Sequence, residues 1–541
     1  MNAAAVGISI TAVIGILALI AVKGFANFWP SDVTLIEYET ATGPIEKVYG
    51  ELVELDELPV QQFLESGGKA EWVPEGAEML SRWLIKTGNR RISPPDFRWL
   101  YAAQNKQLTT PAGLYVIERI EWGNAYGAAQ QLHIGRDNPL TVTGADIADR
   151  LAERIDRANG IRAEIDTLEQ GSLNRINYEL ERLRLERRGI ELRGETGPRL
   201  AEIAARVQEL RTDYNQQESE LRQLYAALDQ DTLVLTDAAG ARISIKLADM
   251  LHAWQPNDMS TAAKSLHYIG AIWRFLSEDP REANTEGGIF PAIFGTILMV
   301  LLMSVMVTPF GVIAALYLRE YAKQGAFVRI IRIAVNNLAG VPSIVYGVFG
   351  LGFFVYFLGG NLDRLFYPEA LPAPTFGTPG LVWASLTLAL LTVPVVIVST
   401  EEGLTRIPRS LREGSLALGA TKAETLFKIV LPMASPSILT GVILAVARAA
   451  GEVAPLMLVG VVKLAPTLPL DANFPFLHLE RKFMHLGFHI YDVGFQSPNV
   501  EAARPLVYAT ALLLVIIIIA LNLTAITLRN RLEQRYKGVQ S

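Results

Sequence analysis

Two charged side chains interrupt an apolar stretch late in the chain, in Ala447-Arg448-Ala-Ala-Gly451-Glu452-Val453-Ala-Pro455-Leu456. Arg448 and Glu452 are four residues apart and share one face if the stretch is helical. A charge within a membrane helix costs on the order of 3 kcal/mol on insertion scales and is normally kept for a pathway or a partner. A guanidinium presents a planar fork of donors to phosphate oxygens, which a lysine ammonium does not reproduce. Glu452 would then fix the arginine rotamer or help to discriminate ions. The competing reading is an ion pair that only locks two subunits together. Asn336, Asn337 and Ser343 are polar groups in a second apolar stretch. They could line the same pathway, although interhelical hydrogen bonding is the commoner use of such groups.

Other chemistry is narrowly bounded. The chain has no cysteine, which removes disulfides, thiolate metal sites and thiol nucleophiles. It has no GxxxxGK[ST] loop, so any use of ATP belongs to a partner. The net charge of −6 gives no footprint for nucleic acid. His485 and His489 are four apart but neither is followed by Glu, so they do not form the zinc-protease HExxH motif. With Phe483, Phe488, Tyr491 and Phe495 nearby, a loop that caps a pore or touches a partner is expected there, and no metal site. Gly347, Gly350 and Gly352 have the spacing of a nucleotide-binding glycine motif reversed; close helix packing is the expected use.

These residues need a membrane to hold them. Half of the 541 residues are hydrophobic and 19% are charged, against about 25% charged in soluble domains. The deficit is local, with charge-free runs over Ala4 to Val22, Gly287 to Leu318, Ile333 to Leu362, Ala370 to Thr400, Ile429 to Ala447 and Pro505 to Leu528. Each can supply the roughly 17–25 residues that cross a bilayer, which predicts six transmembrane helices. Arg319, Lys323, Arg329 and Arg332, then Arg406, Arg409, Arg412, Lys422 and Lys428, then Arg529, Arg531, Arg535 and Lys537 fall on one side of six spans. The positive-inside rule makes that side cytoplasmic. Both termini then face inward. Lys23 on the far flank of the first run opposes this; a start upstream with a basic leader would remove the conflict. The first run lacks the basic n-region of a signal peptide and is long for its apolar core, so an uncleaved anchor is expected.

Residues 24–286 then form a large extracytoplasmic domain. Its first part mixes strand-like runs such as Asp32 to Tyr38 with turns and reads as α+β. Further on, Leu200, Ile203, Val207, Leu210, Tyr214, Gln217, Leu221, Leu224 and Leu228 alternate in threes and fours, the seam of a coiled coil. Ile161, Ile165, Leu168, Ile176, Leu180 and Leu183 supply a partner helix, and Arg193-Gly194-Glu195-Thr196-Gly197-Pro198 breaks both. The pattern predicts an antiparallel helical hairpin over about 161–229. Thr232 to Leu235 and Arg242 to Lys246 flank Asp237-Ala-Ala-Gly240 as a β-hairpin.

One loop narrows the class. Glu413-Gly414-Ser415, then Gly419 and, after nine intervening residues, Ile429-Val-Leu431-Pro432 resemble the EAA loop of ATP-binding-cassette importer permeases. Read physically, Glu413, Gly414 and Ser415 make a helix face with little bulk, Gly419 lets the chain turn, and Pro432 begins a helix where its missing N–H costs least. The stretches 335–347 and 447–456 are similar to the PstA family of phosphate permeases, with one departure: the family's Gly-Glu-Thr-Ala-Pro has Val453 in place of threonine.

The resemblance implies an all-α membrane protein with a type I importer permease core and an inserted α+β domain. The expected divisions are an anchor (1–23), the inserted domain (24–286), a five-helix core (287–528) with its EAA loop at 402–432, and a cytoplasmic tail (529–541). The resemblance also implies a bacterial inner-membrane transport subunit, not an enzyme, with Arg448 serving phosphate translocation. Its partners would be a PstC-like homologous permease, a PstB-like ATPase dimer that uses ATP and magnesium, a PstS-like phosphate-binding protein and membrane lipid. The chain itself would bind no cofactor. Rival readings are a permease for sulfate or molybdate, and a membrane-anchored sensor with a vestigial core.

Overall fold

The computed structural model describes residues 2–40, 43–91, 94–136, 139–497 and 500–537. Met1 and the last four residues of the expected tail lie outside them. The chain forms two compact units: Met1–Asn27, Leu276–Asn284 and Gly288–Ser541 make one, and Phe28–Phe275 with Thr285–Gly287 the other.

The inserted unit is built on two antiparallel sheets. β1 (Val33–Glu39), β2 (Ile45–Pro59), β3 (Met79–Lys86), β4 (Phe97–Tyr101) and β5 (Asn105–Thr109) pair in the order β4-β3-β2-β1-β5. Alternation explains β1 from Thr34 on, with Thr34, Ile36 and Tyr38 buried on one face and Glu37 and Glu39 on the other; Val33, at the strand's start, packs with Leu114, Val116 and Tyr126. The second sheet takes β6 (Leu114–Arg119), β7 (Ala125–Ile134) and β8 (Leu140–Val142) from before the long helices. It takes β9 (Thr232–Thr236), β10 (Arg242–Lys246) and β11 (Met250–Trp254) from after them. Its order is β10-β9-β7-β6-β11, with β8 on β7. The stretch up to residue 140 is therefore not a self-contained α+β unit. Its last strands find their partners beyond residue 230, with Leu132 opposite Leu233 and Ala129 opposite Leu235. The predicted β-hairpin is β9–β10, closed by Asp237 N–H donating to the Ala241 carbonyl at 3.0 Å.

The helical arm is inserted between strands of that sheet. Helix Asp146–Asp166 runs through a π-turn segment, Thr167–Leu173, into Asn174–Leu192; helix Pro198–Leu228 returns. The outgoing arm starts earlier than residue 161 because Ile147, Leu151, Ile155 and Ala158 continue the apolar spacing. The first three of them pack with the second sheet's core and Ala158 with Ile165 and Leu228. The seam is Ile176, Leu183 and Ile190 against Ile203 and Leu210, all buried. At 1.5 Å per residue the return helix is about 46 Å long. Exposed pairs cross the seam, Arg199 with Glu186 at 2.8 Å and Arg206 with Glu179 at 3.0 Å. Screening makes them secondary to the apolar contact. Arg162 joins the arm to the sheet by donating to the carbonyls of Leu247 at 2.9 Å and Ala248 at 3.1 Å.

Among the described residues, the membrane unit has six helices long and apolar enough to cross a bilayer: Ala4–Ala26, Phe290–Tyr321, Ser343–Phe366, Leu381–Arg406, Lys422–Gly451 and Ala503–Arg531. The third differs from its charge-free run. An amphipathic helix ends at Leu338, and the span begins only at Ser343. Pro342 lacks an N–H and disfavours helix at Val341, so the chain breaks there. Asn336 and Asn337 therefore sit on the preceding amphipathic helix, Ala326–Leu338, and not in the membrane helix where the sequence put them. Arg332 of that helix pairs with Glu401 at 3.2 Å.

The fourth span is the centre of the unit, buried along most of its length from Leu381 to Leu404. It packs on the second and fifth spans through small residues. A methyl group at Gly403 would lie 2.5 Å from Ser437 Cβ, and one at Gly441 2.7 Å from Ser399 Cβ. Neither helix could come this close with larger residues there.

Removing a seam side chain tests the arm. Leu210→Ala should cost about 2–5 kcal/mol locally and speed amide exchange over residues 176–214 of the full chain, with the sheets unchanged. Arg206→Ala, on the exposed face, should leave exchange as it is.

Candidate functional site

The fourth and fifth spans and the amphipathic helix line an open cavity of about 450 Å³. Asn336 and Ala339 line one wall. The fourth span contributes Pro394, Val395, Val398, Ser399, Glu402 and Arg406, and the fifth Ser437, Thr440 and Leu444. The spacing makes the walls: 395, 399, 402 and 406 fall on one helical face, and 437, 440 and 444 on another. Arg448 continues the second face by one turn. Asn336 is thus in the cavity wall, whereas Asn337 and Ser343 are not among its lining residues. Ser399, Glu402, Arg406, Ser437 and Thr440 were missed from sequence, though their polar repeat in threes and fours was visible.

Arg448 lies in the last turn of a helix that ends at Gly451. The partial negative charge of that helix end favours a cation. The end is not at the membrane surface. Gly441 lies against Ser399, and seven residues on, about 10 Å along the axis, Arg448 is level with the middle of the fourth span. Its Nε is 3.6 Å from Glu452 Oε1, with the side chains 32% and 22% exposed. That is an electrostatic contact longer than a hydrogen bond. Among the described residues no acceptor takes the terminal N–H groups of Arg448, so the fork is open to a ligand.

The segment after Glu452 is packed from two sides. Gly347 of the third span lies against Pro455, where a methyl group would come within 2.7 Å of its Cα. Gly350 meets Thr387 and Val459, while Gly352 faces open space. Val453 touches Gly487. The side chain at that position thus faces the loop between the fifth and sixth spans, and the missing threonine hydroxyl is replaced by an apolar contact.

That loop is tied down. Gly380 N–H donates to Val459 O, Leu381 N–H to Arg481 O and Val462 N–H to Phe483 O, and Leu486 N–H donates to Thr296 Oγ1 at 2.9 Å. His485 and His489 are 0% and 2% exposed. His485 Nδ1 accepts from Gly487 N–H at 3.1 Å. The other ring nitrogen of His485 and both of His489 have no hydrogen-bond partner among the described residues. Burial holds both rings down to about 4, so they are neutral near pH 7. No group of three or more metal-ligating side chains occurs among the described residues.

At the end of the bundle that carries Arg406, helix Arg409–Ala417 stops at Leu418. Gly419 turns the chain at φ +87°, with its N–H on Leu416 O and that of Ala420 on Ser415 O. Thr421 and Glu424 then form a capping box for the next turn. Glu413 and Gly414 face outward, with open space around Gly414. Ser415 does not share that face: it is 8% exposed, and its hydroxyl is 2.8 Å from Thr425 Oγ1. Its small size serves packing inside the loop. The outward face instead gains Leu416, Phe427 and Leu418, the last 91% exposed. Ile429 belongs to a π turn, and Leu431 and Pro432 open the fifth-span helix. The loop is anchored to the second span at Glu320, whose carboxylate accepts from Arg412 at 3.0 Å and whose carbonyl accepts from Lys422.

Lowered histidine pKa values have a definite sign. Protonation is resisted in the folded loop, so its stability is complete above about pH 6.5 and falls as pH drops toward 4. The thermal midpoint should decline below pH 6.5, and replacing both His485 and His489 by Leu should flatten that decline.

Residues 307–538 match the family described as the binding-protein-dependent transport system inner membrane component. The phosphate transport system permease protein PstA of Mycobacterium leprae is 36% identical over 254 residues, 47% of this chain and 74% of that protein. The protein of the same name from Yersinia pestis is 33% identical over 267 residues, 49% of this chain and 80% of that one. Among solved structures, an inward-facing methionine ABC transporter, MetNI, aligns with 44% of this chain and 94% of its own, at 18% identity and a TM-score of 0.33.

Proposed function

We propose, since this chain belongs to the PstA family of phosphate transport system permeases, that it forms half of the path by which an ATP-driven importer carries inorganic phosphate across the membrane. The observation that carries this reading is Arg448, level with the middle of the fourth span, with its donor fork open one turn beyond the cavity-lining Leu444. A phosphate oxyanion would take that fork in place of the loose contact with Glu452.

The rest of the assembly follows from what this chain lacks and presents. It has no ATP-binding loop, so hydrolysis falls to a partner ATPase that docks on Glu413, Gly414, Leu416, Leu418 and Phe427. The basic segments put that surface in the cytoplasm. Both termini then lie inside and the inserted unit outside, where a phosphate-binding protein would deliver its load. A homologous permease subunit would supply the other wall of the path. In an alternating-access cycle, ATPase closure pushes the loop 407–430. Glu320 transmits the push to the second span, and Leu316, Leu404, Ile407, Leu426 and Val430 transmit it to the fourth.

Two measurements check this. In the reconstituted complex, Arg448→Lys keeps the charge and removes the fork. Phosphate uptake driven by the binding protein should fall at least about tenfold, or about 1.4 kcal/mol, with assembly and basal ATPase activity retained. Unchanged uptake, or equal uptake of sulfate or molybdate by the wild type, overturns the assignment. Glu320→Ala should lower the phosphate moved per ATP hydrolysed while the complex still assembles.

A further inference from the structure

The cavity contains two charges that the Arg448 site does not use. Glu402 and Arg406 are four residues apart on the last turns of the fourth span, so they share one face, and both line the cavity. Neither has an ion-pair or hydrogen-bond partner among the described residues. Their neighbour Glu401, on another face, is held by Arg332.

The contact between Gly441 and Ser399 fixes the distance scale. Arg448 is seven residues from Gly441 in one direction, and Arg406 is seven residues from Ser399 in the other, each about 10 Å along the axis. The two arginines are therefore about 20 Å apart along the bundle, too far for one anion to touch both. Between them the cavity offers Asn336, Ser399 and Ser437, whose side-chain donors are uncommitted among the described residues. Thr440 is already spent, its hydroxyl donating to Pro436 O at 2.8 Å.

We propose that Arg406 is a second oxyanion station at the open end of the cavity, and that Glu402 keeps this station weak enough for the anion to leave. This rests on the permease reading above. A bare arginine at the exit would hold a divalent oxyanion and be refilled from the product side. A carboxylate one turn away on the same face repels the anion and competes for the guanidinium. Conduction needs sites that bind well enough to be entered and loosely enough to be left. The two Arg/Glu pairs differ in the way this requires. At Arg448 the carboxylate lies beyond the arginine, away from the cavity. At Arg406 it lies on the cavity side, where an arriving anion meets it.

The test is uptake by the full complex in proteoliposomes loaded with graded internal phosphate. Glu402→Gln should make internal phosphate inhibit uptake at a concentration at least about fivefold lower than in the wild type. Arg406→Gln should slow uptake several-fold and remove that inhibition, with the dependence on external loaded binding protein unchanged. Arg406→Lys keeps the charge at the helix end; it should assemble and need at least about threefold more internal phosphate for the same inhibition. Wild-type dependence on internal phosphate in the Glu402 and Arg406 variants overturns the second station. So does a slower Arg406→Gln that keeps normal inhibition, which marks a helix-end role only. Arg448→Lys is run alongside: its full uptake would sink the permease-site reading, whereas its failure with silent Arg406 and Glu402 variants sinks only the second station.

Discussion

Gly403 against Ser437 and Gly441 against Ser399 bring two membrane helices to nearly backbone contact, and most of the membrane unit's geometry depends on that approach. In lipid no hydrophobic force draws helices together, so close packing between small residues has to do it. The contact sets the register of the fifth helix against the fourth. That register decides that the fifth helix ends at mid-depth, and the early end places a guanidinium where an apolar bundle could not otherwise tolerate one. The partial negative charge of the helix terminus offsets part of the cost of that guanidinium, and Glu452 a further part. A larger residue at either glycine would move the arginine and the cavity walls together.

The same fourth span also receives the loop at the far end. Arg412 donates to Leu404 O and Ile407 O as well as to Glu320, so one guanidinium bolts the loop to two membrane helices. Ser415 and Thr425 fasten the two short helices of the loop to each other. A force on the outward face is therefore delivered to a rigid piece and not absorbed in it. Arg406 lies within this junction, between the two accepting carbonyls of Leu404 and Ile407. A movement of the loop relative to the fourth span acts first on the mouth of the cavity, and only through the length of the helix on Arg448.

The sequence announced the spans and the loop because their physics is local. Length, lack of charge and turn chemistry decide a membrane helix or a Gly419 turn within a few residues. It also exposed Arg448 and Glu452, since charges in apolar stretches stand out without any knowledge of the fold. What stayed hidden depends on pairing. Nothing in β7 says that its partner is β9, a hundred residues away. Nothing local says that Ser415 turns inward to Thr425, or that Asn336 and Asn337 precede a break, although Pro342 could have signalled the break. Ser399, Ser437 and Thr440 carry hydroxyls that commonly bond back to their own helix; only the structure shows that Thr440 does so, to Pro436 O.

The loop between the fifth and sixth spans packs on the segment that follows Glu452. Its buried histidines are neutral, and its backbone is stitched to the start of the fourth span and to Thr296. It lies over Val453, next to Glu452. An apolar contact stands there in place of a hydroxyl. In a partly buried site an arginine–anion contact is stronger than in open water. The opposite end, with Glu402 and Arg406 both exposed, is wet and its field is screened. On the proposed reading, an anion would pass from the more buried arginine, Arg448, to the exposed one, Arg406.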